Sequence, residues 1–428
     1  MTTLHETAAD IRERAILVSL VTDEMKRAGV DADYSLRELV ALAETAGVEV
    51  LAAVTQSREA PDPRWFIGKG KVEELRAVAH ELGATTAIFD QELSGAQVRN
   101  LEEGLDLKII DRTQLILDIF AGRAKTREGI IQVELAQLSY LLPRLAGHGK
   151  NLSRLGGGIG TRGPGETKLE TDRRHIRERI ADLKRQLKEV VRHRNVQRER
   201  RRKTGVTQVA LVGYTNAGKS TLLRELTNAD VYVENQLFAT LDPTSRAWTL
   251  PDGTEVVLTD TVGFIQNLPH ELVAAFRSTL EEAAEADLIL HVVDSSSPYR
   301  EEQMAVVDRI LTELGAGDRP RIVLYNKIDL CTDEELQLLR RDGDALLVSA
   351  FSASDLEAIG RAVQDKLTGE IRSFAIPAAS GDLIALAHRM GEVVDQSVLD
   401  DGETMRIAVR LNKREYELNG YKLQPYAL

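Results

Sequence analysis

The chain has 428 residues, too many for one ordinary core; at about 150 residues per domain, two to four domains are expected. With 43% hydrophobic and 29% charged residues the composition excludes wholesale disorder, and no apolar run approaches the roughly 20 residues of a membrane span. The net charge of −12 argues against a uniformly basic nucleic-acid binder, residues 1–12 have no apolar secretory core, and one cysteine, Cys331, permits neither an internal disulfide nor a cysteine-based metal site. A cytoplasmic protein is expected.

Residues 1–125 read as alternating strands and helices. Strand-like runs occur at 15–21, 48–55, 86–89 and 107–110, with helical patterns between them. Ser35-Leu36-Arg37-Glu38 has the form of a capping box opening a helix that Gly47 stops, and Gly83 ends a second helix over 71–82. Such alternation implies a parallel sheet, because parallel neighbours need crossovers. Trp65 and Phe66 lie in the loop over 62–70 and are expected to staple it to the sheet. This region shows no phosphate-cradling motif of its own, so a second nucleotide there stays an open question.

Residues 126–204 form a helical hairpin in this reading. Ile131, Leu135, Leu138 and Leu142 make one apolar seam, and Ile176, Ile180, Leu183, Leu187 and Val190 make its mate. The second helix runs on into the charged residues 198–203. Between the helices, residues 146–166 hold eight glycines with Lys150, Arg154, Arg162 and one Glu166. This segment is either a disordered tip or a cationic finger that orders on a phosphate-rich surface. From 146 to 203 there are 18 Lys and Arg against 7 Asp and Glu, one strongly basic element in an otherwise acidic chain, to which an anionic partner would be confined. Gly158-Ile159-Gly160-Thr161-Arg162-Gly163 matches a dinucleotide-binding pattern, but it follows no strand and is rejected.

The chemistry is named after residue 205. A strand over 207–212 runs straight into Gly213, Tyr214, Thr215, Asn216, Ala217, Gly218, Lys219 and Ser220, and a helix opens at Thr221. This is a phosphate loop in its required context. The glycines let amides curl around phosphates, Lys219 reaches the β/γ oxygens, and Ser220 offers a hydroxyl to Mg2+. A strand over 254–259 ends in Asp260, Thr261, Val262 and Gly263, where the carboxylate can hold magnesium through water and the Gly263 amide can touch a γ-phosphate. A strand over 321–325 ends in Asn326, Lys327, Ile328 and Asp329. The Asp329 carboxylate can accept from both guanine donors, a pair that adenine lacks, so GTP and GDP are selected. Ser349, Ala350 and Phe351 supply the last loop against the base.

These motifs resemble those of the translation-factor-related GTPases. Together with Phe238, Ala239, Thr240, Leu241, Asp242, Pro243 and Thr244, and with the glycine-rich residues 156–170, they resemble the HflX family of ribosome-binding GTPases over roughly residues 10–370. The resemblance implies that Thr240 is the switch threonine on magnesium and γ-phosphate, making Lys219, Thr240 and Gly263 the catalytic set and Ser220 and Thr240 the metal ligands. It also implies binding to the large ribosomal subunit and its rRNA, with the finger reaching toward the peptidyl-transferase centre and dissociation or recycling of stalled or idle ribosomes following.

The expected architecture is α/β: an N-terminal α/β subdomain (1–125), the hairpin (126–204), a P-loop GTPase domain with a mostly parallel sheet (205–370), and a small α+β C-terminal domain (371–428). A monomer is expected. Phe264 stands where many GTPases carry a water-orienting glutamine, so intrinsic hydrolysis should be slow and aided from outside, by the ribosome or by K+ held at Asn216. The alternative for Asn216 is a loop residue capping its own backbone. The alternative for the whole chain is a nucleotide switch that regulates a protein partner through the hairpin without RNA. An RNA-modifying enzyme lacks a second catalytic set, and Cys331 and the lone histidines His80 and His291 read as packed rather than reactive.

Overall fold

A computed structural model describes residues 12–145, 168–203, 206–229, 236–268, 282–341, 345–399, 402–412, 416 and 419–428. The glycine-rich segment 146–166 therefore lies outside the described residues. Among the described residues there are three sheets.

The first is parallel, in the order β2-β1-β3-β4, from β1 (Arg14–Thr22), β2 (Glu49–Arg58), β3 (Thr86–Phe89) and β4 (Lys108–Asp111). Its strands are joined through α1 (Asp23–Arg27) and α2 (Ala32–Thr45), then α3 (Lys69–Leu82), then α4 (Gly95–Leu105). Gly83 ends α3 in the left-handed region at φ 65°, and Ser94 with Gln97 forms a capping box for α4. Phe66 is buried and meets Phe89 edge to face at 6.1 Å, which staples the 62–70 loop as expected.

The capping box expected at Ser35 is not there. Asp31 caps α2 one turn earlier, accepting from the amides of Asp33 and Tyr34 at 2.9 and 3.0 Å. Ser35 and Glu38 are instead buried on the inner face of the helix. Ser35 donates to Asp90 at 2.6 Å and Glu38 pairs with Arg112. A cap residue must precede the first turn, and Asp31 occupies that place before Ser35 can.

α5 (Arg112–Arg123) leads to the hairpin, α6 (Arg127–Arg144) and α7 (Lys168–Lys203). Their contact follows the expected seam except at Leu142 and Ile176, which lie outside the cluster: Ile131, Leu135 and Leu183 are buried, with Leu138, Ile180, Leu187 and Val190 packed around them. Arg179 clamps Glu134 with two bonds of 2.7 and 2.8 Å at its flank. The α7 backbone stays helical to Lys203.

The second sheet has the order β10-β9-β8-β5-β7-β6. It comprises β5 (Thr207–Gly213), β6 (Thr244–Thr249), β7 (Glu255–Asp260), β8 (Leu288–Asp294), β9 (Arg321–Asn326) and β10 (Leu346–Leu347). Only β6 runs antiparallel. Helices α8 (Lys219–Thr227), α9 (Arg300–Glu313), α10 (Asp333–Leu339) and α11 (Ala353–Leu367) connect it. His291 on β8 is buried as expected, and burial holds its imidazole down at about 4. The third sheet, antiparallel β11-β13-β12, is built from β11 (Thr368–Pro377), β12 (Gly391–Val398) and β13 (Thr404–Asn412). With α12 (Gly381–Arg389) it encloses Phe374, Ile376, Ile407 and Val409.

The first two sheets share one core. Leu39, Leu42, Phe120 and Tyr140 pack in the same apolar cluster as Val212, Phe238, Leu241 and Phe264. Each such side chain contributes about 1.5–3 kcal/mol on full burial, so the phosphate loop is fixed against the N-terminal domain.

Candidate functional site

Strand β5 delivers Gly213 to the C-terminal edge of the sheet, where open α/β sheets bind ligands. A Cβ on Gly213 would lie 2.2 Å from the Val292 carbonyl, so only glycine fits beside β8. Gly218 caps α8 in the left-handed region at φ 98°, and a Cβ there would lie 2.3 Å from Asn326 Nδ2. With no side-chain cap on α8, the first-turn amides are left to an anion, aided by the helix dipole.

Lys219 opens that helix, buried, and donates to the carbonyls of Gly213 and Tyr214 at 3.2 and 2.9 Å. Burial pushes its ammonium down to about 8, against the pull of Asp260. A cleft lined by Thr215, Asn216, Gly218, Lys219, Ser220, Thr221, Phe238, Ala239, Thr240, Thr261 and Gly263 brings the loop together with the expected switch residues. Gln236 lines it too, a residue the motifs did not single out.

Three oxygens converge at one corner. Ser220 Oγ lies 2.7 Å from Thr240 Oγ1, and both hydroxyls donate to Asp260 Oδ2, at 2.6 and 2.9 Å. Asp260 Oδ1 is buried without a hydrogen-bond partner, and burial pushes the carboxyl above its ordinary range. Hard oxygen donors around an unsatisfied carboxylate oxygen suit Mg2+, which takes few protein ligands and completes its shell with water and phosphate. No cluster of three or more His, Cys, Asp or Glu able to hold a metal occurs among the described residues.

The Asp260–Gly263 turn is tied to the loop by backbone: Thr215 N donates to Phe264 O at 2.7 Å and Phe264 N to Gly213 O at 3.1 Å. Thr261 and Val262 are buried, and Thr261 Oγ1 donates to the Leu211 carbonyl. Phe264 is itself buried, so its ring has no polar atom to offer the cleft. Asn216 is exposed with φ 60°.

On the neighbouring strand end, Asn326 is a brace: its amide donates to Ala217 O at 2.9 Å and accepts from Ala350 N at 3.2 Å. Asp329 Oδ1 accepts from Ser349 Oγ at 2.6 Å, which orients the carboxylate. Lys327 pairs with Asp294 at 2.7 Å, Ile328 enters a short 3-10 turn with Asp329, and Phe351 is exposed. Asp294, at the end of β8, belongs to none of the motifs read from the sequence.

Four expected residues face elsewhere. Leu241 and Val262 are buried in the shared core. The Tyr214 side chain leaves the loop and donates to Glu38. The Asp242 carboxylate bonds the start of α6.

Three family models match the chain. One described as GTP-binding GTPase N-terminal covers residues 33–121, one described as GTP-binding GTPase Middle Region covers 123–201, and one described as 50S ribosome-binding GTPase covers 208–327. Among curated proteins, the chain is 48% identical over 415 residues to the GTPase HflX of Caldanaerobacter subterraneus subsp. tengcongensis, spanning 96% of this chain and 94% of that one. It is 51% identical over 383 residues to the GTPase HflX of Alkalihalophilus pseudofirmus, spanning 89% and 90%. The GTPase HflX of Escherichia coli is 42% identical over 408 residues, with 94% of each chain covered. Among solved structures, it resembles a GTP-binding protein from the hyperthermophilic archaeon Sulfolobus solfataricus in complex with GDP. That likeness has 24% identity and a TM-score of 0.43, over 83% of this chain and 98% of that one.

Proposed function

The chain belongs to the HflX GTPases, and from that membership we propose that this GTP hydrolase binds the large ribosomal subunit and dissociates or recycles stalled or idle ribosomes. The observation that carries the nucleotide half is the meeting of the Ser220 and Thr240 hydroxyls on Asp260. It joins the phosphate loop to the two segments that must sense a γ-phosphate. The ribosomal half is supported by the family and by the excess of 18 Lys and Arg over 7 Asp and Glu in residues 146–203 of an otherwise acidic chain.

In this reading Lys219 and the α8 amides neutralise the β and γ oxygens, and in-line attack by water needs positioning more than covalent chemistry. Ser220 and Thr240, with Asp260 beside them, would hold Mg2+, and the ion would supply positive charge to the leaving diphosphate. Thr240 and the Gly263 amide grip the γ-phosphate, and the loss of those contacts on hydrolysis releases the switch segments. The buried Phe264 ring cannot orient the attacking water, so intrinsic turnover is slow and the ribosome supplies the missing order. K+ held at the exposed Asn216 would be a second, independent source of charge.

GTP turnover measured with and without purified large subunits, in potassium and in sodium, tests both. Strong stimulation by subunits is expected. Equal rates with and without them would remove the ribosomal reading, and equal rates in the two salts would remove the potassium site.

A further inference from the structure

The segment carrying Thr240 is held from outside the GTPase sheet. Two residues on, the Asp242 carboxylate sits at the N-terminus of α6: Oδ2 accepts from the amides of Lys125 and Thr126 at 3.0 and 2.9 Å, and Oδ1 accepts from the Thr126 hydroxyl. Thr126 is the cap of α6, its Oγ1 accepting from Gly129 N at 3.0 Å. The carboxylate thus takes up the two amides that lead into α6 and faces the positive end of an 18-residue helix. Its seat exists because residue 129 has no side chain: a Cβ on Gly129 would lie 2.6 Å from Asp242 Oδ1. On the other side of Thr240, Phe238 packs edge to face on Phe120 of α5 at 4.7 Å, and Gln236 accepts from Arg123. The Thr240 hydroxyl, by contrast, reaches into the GTPase site, through Ser220 and Asp260.

We infer that Asp242 is a positioning residue for Thr240, through which the base of the hairpin and the γ-phosphate site share one equilibrium. The inference rests on the role proposed above for Thr240. Two residues of chain span at most about 7 Å, so Thr240 cannot move far onto or off a γ-phosphate while Asp242 stays seated without altering the start of α6. Linkage makes the effect reciprocal: what holds the first turn of α6 biases the nucleotide site, and the nucleotide biases that turn. This coupling lies at the base of the hairpin and needs no ribosome.

The test uses the full chain with Asp242→Ala, Asp242→Asn, Gly129→Ala and Thr240→Ala, without ribosomes. Single-turnover GTP hydrolysis, GDP affinity, and hydrogen exchange over residues 125–131 with GDP or a non-hydrolysable GTP analogue are measured. Asp242→Ala and Gly129→Ala are expected to slow hydrolysis on the order of tenfold, an ordinary coupling between linked sites. GDP affinity should stay within about twofold, because GDP has no γ-phosphate for Thr240 to grip. Asp242→Asn keeps an acceptor for the amides and should fall between. The analogue should change exchange at the first turn of α6 in the native protein and not in Asp242→Ala or Gly129→Ala. Gly129→Ala, a small change in a helix that favours alanine, keeps the test open if Asp242→Ala does not fold. Hydrolysis lost in Thr240→Ala but unchanged in both Asp242→Ala and Gly129→Ala would overturn the coupling. Hydrolysis unchanged in Thr240→Ala would overturn the threonine's role instead.

Discussion

The hydroxyl of Tyr214, in the phosphate loop, donates to the carboxylate of Glu38 on α2, 176 residues earlier in the chain. The same oxygen accepts from Gln266 N at 2.8 Å, just past the Asp260–Gly263 turn. Glu38 also pairs with buried Arg112, whose guanidinium reaches Asp90 at 2.9 Å. One buried polar network thus spans the N-terminal sheet, the phosphate loop and the following turn. Burial pushes the Glu38 carboxyl above its usual range, with Arg112 opposing it. Removing the hydroxyl in Tyr214→Phe strands one acceptor and one donor, and should cost about 1–3 kcal/mol. Glu38→Gln weakens the counter-charge of Arg112 and should cost as much or more, up to about 3–5 kcal/mol for a broken buried pair. Denaturant midpoints of the singles and the double mutant measure it. Additive losses would mean that the two residues are not coupled.

Lys219 supplies a pH prediction whose sign follows from its burial. Its ammonium titrates at about 8 in the nucleotide-free site, and bound phosphate favours the charged form, raising the pKa. Between those two values the bound state carries more protons, so GDP affinity falls as pH rises through about 8. Each further unit costs about 1.4 kcal/mol, or tenfold, until the pKa of the complex is reached. Calorimetry at pH 8.5 in two buffers of different ionisation enthalpy should show proton uptake on binding. A GDP affinity that stays flat from pH 7 to 9.5 would sink the argument, and Lys219→Met should flatten the profile while weakening binding throughout.

The phosphate loop and guanine motifs were legible because each is a local string whose context is also local: a strand, a glycine turn and a helix within about 20 residues. The hairpin seam was legible for the same kind of reason, a helical period sustained over several turns. Ser35 and Glu38 show where this stops. Their spacing fits a capping box, yet Asp31 takes the cap and the pair is buried against Asp90, Arg112 and Tyr214. Those partners are distant in sequence, so no periodicity announces them. Asp242 is the same case. Inside the motif it looks like a nucleotide residue, and its carboxylate is turned to α6 by a seat that depends on a glycine 113 positions earlier.

The hairpin should loosen without the GTPase domain melting. Leu183 on α7 is 1% exposed, between Ile131 and Leu135 of α6. Leu183→Ala removes most of the buried centre of a narrow seam, at about 2–4 kcal/mol. Because that seam is a cluster separate from the shared core, the loss should appear as faster hydrogen exchange in α6 and α7, with GDP affinity within about twofold of the native protein. Unchanged exchange in both helices would mean that the seam is not what holds them together.

On the proposed function, base choice rests on Asp329. Its Oδ1 is fixed by the Ser349 hydroxyl at 2.6 Å, while Asn326 braces Ala217 and Ala350; the oriented Asp329 carboxylate is the acceptor proposed to read the base. Guanine presents a ring N–H beside an exocyclic amine, both donors, and a carboxylate accepts both. Asp329→Asn replaces one acceptor by an NH2 that faces a donor, losing a charge-assisted bond and adding a donor–donor clash. At about 1.5–3 kcal/mol per bond to a charged group, GDP affinity should fall by at least about tenfold, and by more than a hundredfold if the clash is not relieved. Xanthine carries a carbonyl where guanine has the amine, so the asparagine amide matches it, and xanthosine diphosphate should bind the variant more tightly than GDP does. Competition between the two nucleotides measures the reversal directly. A variant that still prefers GDP would mean that the base is read by some group other than the Asp329 carboxylate.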